Sequence, residues 1–174
     1  MKETNTTAWF QSLEKALGKL AAIAAVVILL IFPLYVRDFY FDILNAKYQF
    51  YYITMLAVFV LVFIIFVVHI SKDFRYEDGK NVKAMFKKKT IKKMPLSHIF
   101  ASIFLIVCII STLQSQYLYE SFWGNEGRYT GLFLLSIYVL SFLFISRFLK
   151  LKKRYLNLFL IAGMLACIFG ITDY

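Results

Sequence analysis

Arg128 stands among glycines, in the stretch Trp123-Gly124-Asn125-Glu126-Gly127-Arg128-Tyr129-Thr130-Gly131. A guanidinium presents a planar fork of donors that matches a phosphate. Flanking glycines allow a tight turn and let a ligand approach the main chain closely. A second stretch, Arg37-Asp38-Phe39-Tyr40-Phe41-Asp42-Ile43-Leu44-Asn45-Ala46-Lys47, also mixes charge with rings, and Tyr48, Phe50, Tyr51 and Tyr52 follow it. Cations beside aromatic rings suit an amphiphile with an anionic head, either a phospholipid or an isoprenoid diphosphate carrying a glycan. Tyr and Trp also collect at membrane interfaces with no ligand at all. That accounts for the rings but not for an arginine set between glycines.

Other chemistry is weakly represented. Cys108 and Cys167 each fall inside an apolar run without a nearby His or carboxylate, so no metal or redox site is expected. His69 and His98 sit at the ends of apolar runs, where polar tips are ordinary. Gly124, Gly127 and Gly131 are not a phosphate loop, because no Lys-Ser/Thr opens a helix after them. Gly127 and Gly131 match G-x-x-x-G, but with Arg128 between them a dimerisation motif is not expected. No catalytic residue, metal or cofactor is assigned.

The elements that must position Arg128 are membrane helices. The chain has 174 residues, 61% hydrophobic, 17% charged and with a formal net charge of +10, and its mean hydropathy is +0.70. Soluble domains are less apolar and more charged, and disorder requires low hydrophobicity. A span needs about 20 apolar residues, and five segments qualify: 17–36, 50–70, 97–113, 131–148 and 155–171. The fold class is therefore all-α, one polytopic membrane domain over 1–174. Phe50 to Ile70 is the clearest span, with no charged residue in it. No run alternates as barrel strands do.

The basic residues orient these spans. Seventeen of the twenty lie in the N-terminal stretch up to Lys19, between the second and third spans, or from Arg147 to Arg154. Only Arg37, Lys47 and Arg128 fall in the alternate connections. This places the N-terminus in the cytoplasm, the C-terminus outside, and the two stretches described first on the outer face. The connection 71–97, with nine basic and three acidic residues, reads chiefly as an orientation signal with some attraction to anionic lipid. Nucleic acid is not an expected partner. The first span is not read as a cleaved signal, because no A-x-A-like site follows it. None of the span cores holds Asp, Glu, Lys or Arg, which argues against a pump or ion-coupled transporter.

The stretch from Trp123 to Leu132 resembles a motif of the bacterial O-antigen ligase and polymerase-like family, approximately aromatic-Gly-x-x-x-Arg-x-x-Gly-Leu. Pro33-Leu34, followed by Tyr40-Phe41-Asp42-Ile43 and Lys47, is similar to the opening of such proteins. Members transfer glycans from undecaprenyl diphosphate outside the plasma membrane, without a metal or nucleotide sugar. The resemblance implies a bacterial plasma-membrane protein whose partners are membrane lipid and an undecaprenyl-diphosphate-linked glycan. It implies that Arg128, Lys47 and Arg37 contact the diphosphate, that Asp42 orients Lys47, and that Trp123, Gly124, Gly127 and Gly131 complete the site. Asp42 and Lys47 read equally well as an interfacial ion pair or as solvated charges. The family's catalytic outer loop has no counterpart before Tyr174, so the expectation is a truncated N-terminal half, inactive alone.

The alternative expectation is a small multi-pass protein without chemistry, packing against a partner through the fifth helix. Ala162, Ala166 and Gly170 recur there at four-residue spacing, with Gly163 adjacent. Small residues so spaced let another helix approach closely.

Overall fold

The computed structural model describes residues 2–37, 43–77, 82, 95–125 and 128–172. Asp42 and Gly127 lie outside the described residues, as does most of the basic connection. Helix α1 (Lys2–Val26) runs into a π-helical turn, Val27–Ile31, and then a short α2, Phe32–Leu34. There follow α3 (Ile43–Glu77), α4 (Leu96–Leu113), the short α5 (Leu118–Trp123), α6 (Leu132–Phe148) and α7 (Lys153–Thr172). No strand occurs among the described residues.

Four stretches are long and apolar enough to cross a membrane: Trp9–Leu34, Ile43–Arg75, Leu96–Leu113 and Lys153–Ile171. Leu132–Phe148 is shorter. Its 17 residues rise about 25 Å at 1.5 Å each, a little under the hydrocarbon thickness of about 30 Å. The molecule thus has four to five helices of spanning length, and the expected all-helical membrane fold is seen at that level. Several boundaries differ from the sequence reading: the first helix begins at Lys2, and the second starts at Ile43 and runs on to Glu77. Hydropathy marks where a helix is apolar, and helical backbone continues through polar residues on either side.

The core lies where α1, α3 and α6 meet. Leu13, Leu17, Leu20, Ala21 and Ala24 of α1 pack with Met55 and Val58 of α3 and with Ile137 and Phe144 of α6. Ala21 and Met55 are wholly buried in this cluster, and small residues such as Ala21 and Ala24 let the helices approach closely. Rings pin both ends of the α1–α3 pair. At one end the Trp9 indole N–H donates to the His69 carbonyl at 3.3 Å, and the two rings meet edge to face. At the other, Phe32 meets Phe50 and Tyr51, and Tyr35 stacks on Phe50 at 4.7 Å. The second end also carries α5, and we call it the outer end after the side that the basic residues predict for it.

Helix α4 is almost wholly exposed and is held chiefly to α6. His98, buried at its start, faces Ser146 across a 2.7 Å hydrogen bond. The Ser146 hydroxyl donates to the Phe142 carbonyl at 2.6 Å, so the histidine N–H is the donor of the bridge. Interhelical hydrogen bonds in membranes average about 0.6 kcal/mol, with a maximum near 1.7. Replacing His98 with alanine is expected to cost about 1 kcal/mol, between that average and that maximum. It should also speed proteolysis of the α4–α5 connection in detergent, whereas truncating exposed Phe100 should do neither.

Helix α7 departs most from the expected arrangement of five side-by-side spans. A Cβ at Gly18 would lie 3.3 Å from the Phe148 carbonyl oxygen, so α6 ends beside Gly18. Yet Leu29 shares a hollow with Lys152, Lys153, Tyr155, Leu156 and Phe159. Eleven residues of helix separate Gly18 from Leu29, a rise of about 16 Å. The extended segment 149–152 therefore travels along the first helix, carrying Lys152 and Lys153 with it. The positive-inside rule predicts all the basic residues of this connection together at one end of the bundle. The reason lies in α7 itself: among the residues whose burial is described, only Tyr155 and Ala162 are buried on it, and they sit two turns apart on one face. That face seats on the π turn and α2.

Candidate site at the outer end

The turn from α4 into α5 is organised by Ser115, which accepts hydrogen bonds from the Tyr117 amide at 3.2 Å and the Ser121 hydroxyl at 2.7 Å. Part of what reads as one outer loop is therefore helix α5. The loop proper begins at Gly124, whose φ of 85° suits glycine. The Arg128 and Tyr129 amides both donate to the Asn125 carbonyl, at 3.1 and 3.0 Å. The chain then returns to Gly131.

Gly124 and Gly131 form the neck of this loop. A Cβ on Gly131 would collide with the Phe122 carbonyl and with the Gly124 amide. One on Gly124 would stand 2.6 Å from the Thr130 nitrogen and 2.7 Å from that of Gly131. At Gly124 and Gly131 the space a Cβ would take is filled by the chain's own backbone. The structure uses them to bring two strands of backbone together with Arg128 near the tip.

Tyr129, beside Arg128, has φ of 50°. A bulky residue in the left-handed region costs about 1–2 kcal/mol. Its ring lies flat on Tyr48 of α3, with centroids 4.6 Å apart and 11° between planes. A ring pair contributes about 0.5–1.5 kcal/mol, similar in size to the backbone cost. The stack offsets the strain without exceeding it clearly, so the closed glycine neck must also hold Tyr129 in place. Around the pair, Tyr52 packs on Tyr48 and on Phe133, and Phe133 contacts Phe122 and Trp123.

The Tyr48–Tyr129 stack joins the start of α3 to the loop of Arg128, so the two outer stretches of sequence meet. Lys47 precedes one stacked ring and Arg128 the other. Lys47 extends its ammonium over the Phe32 ring at 5.6 Å, a contact worth about 0.5–2 kcal/mol depending on desolvation. Arg128 is exposed, and its guanidinium has no ion-pair partner among the described residues. Arg37 is exposed just beyond α2. Trp123 is partly exposed, edge-on to Phe122 at 5.0 Å. Sequence reasoning picked out the cations and Trp123, but gave no role to Tyr48, Tyr129 or Phe32, which arrange them. The one available signal was a bulky residue directly after the arginine in a glycine-bounded turn.

The site can accommodate an anion at its rim and apolar or ring-stacking groups on its floor. No metal-holding group of His, Cys, Asp and Glu occurs among the described residues. Comparison with protein-family models, curated proteins and solved structures finds no match to this chain.

Proposed function

We propose that the outer end binds the anionic head of an amphiphile, specifically an undecaprenyl-diphosphate-linked glycan, as in the O-antigen ligase and polymerase-like proteins of the bacterial plasma membrane. The observation that carries this reading is the Tyr48–Tyr129 stack, which joins the segment bearing Lys47 to the loop bearing the exposed Arg128. Arg128 supplies the bidentate contact to phosphate and Lys47 a second charge. The rings from Tyr52 to Trp123 give a surface for lipid or sugar. Arg37 and Asp42 border the same end in sequence. No residue of this chain is assigned to bond making or breaking.

The test is binding of undecaprenyl diphosphate to the protein in nanodiscs. A hydrogen bond to a charged group is worth about 1.5–3 kcal/mol, so Arg128→Ala is expected to weaken binding roughly ten- to a hundredfold. Arg128→Lys should recover part of it. Equal affinity for parent and Arg128→Ala protein would show that the reading is wrong.

A second reading rests on α7. Gly163 and Gly170 face open space, and Met164 is exposed between them, whereas Ala162 is already buried within the chain. A small non-enzymatic protein that packs against a partner helix would use the Gly163 and Gly170 side. Co-purification of one stoichiometric membrane partner, lost on Gly163→Leu, would favour it.

A further inference from the structure

We infer that the π turn Val27–Ile31 is a register hinge and that α7 is the lever that sets it. Docking of α7 thereby controls the outer end of the first helix. The Phe32 amide donates to the Val27 carbonyl, five residues back, which is the π register. Pro33 follows at once and has no N–H. In π register the Ile28 carbonyl looks to residue 33 for its donor; in α register the Leu29 carbonyl does. Either way one carbonyl in an apolar helix lacks its intrahelical partner. A membrane tolerates such backbone only where protein covers it. Helix α7 is the cover, since its principal neighbour is this turn and its two buried residues, Tyr155 and Ala162, lie on the docked face.

The two registers differ by one residue of helix. Going from π to α advances everything after the turn by about 100° and about 1.5 Å. The residues after the turn include Phe32, whose ring lies under the Lys47 ammonium, and Tyr35, stacked on Phe50. A seated α7 holds those rings where they are, and an unseated α7 releases them. The consequence for anion binding rests on the outer-end reading proposed above; the coupling of α7 to Tyr35 does not.

The experiment uses the full chain in nanodiscs with Cys108 and Cys167 replaced by serine. Tyr35→Cys and Phe50→Cys are introduced together and joined by a short bis-maleimide. Ala162→Leu, which forces α7 off its seat, is expected to lower cross-linking about fivefold, the population change that roughly one lost contact of ordinary strength produces. A second pair, Trp9→Cys with His69→Cys, reports on the far end of α1 and α3 and should be unaffected. Unchanged Tyr35–Phe50 cross-linking in Ala162→Leu overturns the inference. Equal losses at both pairs overturn it too, since that is general unfolding. Arg128→Ala should leave both pairs intact, so failure of the anion reading and failure of the lever are separate results.

Discussion

Gly131→Ala should destabilise the protein by about 3 kcal/mol, the upper end for forcing atoms into filled space. The added methyl meets the Phe122 carbonyl and the Gly124 amide. These are backbone atoms, which cannot swing aside as a side chain can. Opening the neck would also remove what keeps Tyr129 at positive φ. Both its stack on Tyr48 and the seat of Arg128 would then be lost. The comparison that gives this meaning is Gly163→Ala and Gly170→Ala, where a Cβ meets nothing within 4 Å. Those changes should lie within about 0.5 kcal/mol of the parent, or stabilise slightly because alanine favours helix. Reversible unfolding in mixed micelles measures all three. Similar losses at all of them would mean that the neck has no special role.

The second large effect is expected at Met55, which is wholly buried between α1 and α6. Truncating a buried methionine to alanine in a soluble core costs about 2–5 kcal/mol, part transfer and part cavity. In a bilayer the transfer part shrinks, because lipid tails are as apolar as the core. The cavity part remains, since Ala21 and Ala24 opposite are too short to fill it. Met55→Ala should therefore cost about 2 kcal/mol, the lower end of the soluble range. Ile53→Ala, two residues away and exposed, should stay within about 0.5 kcal/mol. Equal costs at the two positions would mean that the α1–α3–α6 core does not hold the bundle together.

Much of the architecture is legible because hydropathy acts residue by residue. Phe50 to Ile70 is uncharged and apolar, so a helix there needs no knowledge of the rest of the chain. Pro33 likewise announces a disturbed helix. Hydropathy does not say how the chain accommodates that proline, and the π register depends on α7, which comes far later in sequence. Nor does it say where a helix stops once it leaves the apolar zone, so α3 runs past Ile70 unannounced. The seat of α7 was hidden for a similar reason. Its small residues advertise a close neighbour, but Ala162 and Gly163 are adjacent and point different ways, one inward and one to open space.

The candidate site divides along the same line. Arg128 and Lys47 stand out because cations on the sparsely charged face are conspicuous singly. The relation between them is carried by Tyr48 and Tyr129, which sequence alone shows as two among many interfacial rings. The glycines of the neck were visible, yet their purpose was not. Glycine leaves room without stating whether ligand or backbone fills it.

Helix α3 continues seven residues past Ile70, a post of about 10 Å, close to the Debye length at 0.1 M salt. A charge carried at the tip of that post would be largely screened from an anionic surface level with Ile70. The chain does not start from the tip. Asp73, buried on the post, accepts the Val82 amide at 2.9 Å, about 5 Å along from Ile70. Val82 is thus held within that screening length of Ile70. One carboxylate returns the chain partway down the post, so whatever follows Val82 departs from nearer the apolar part of α3 than its tip.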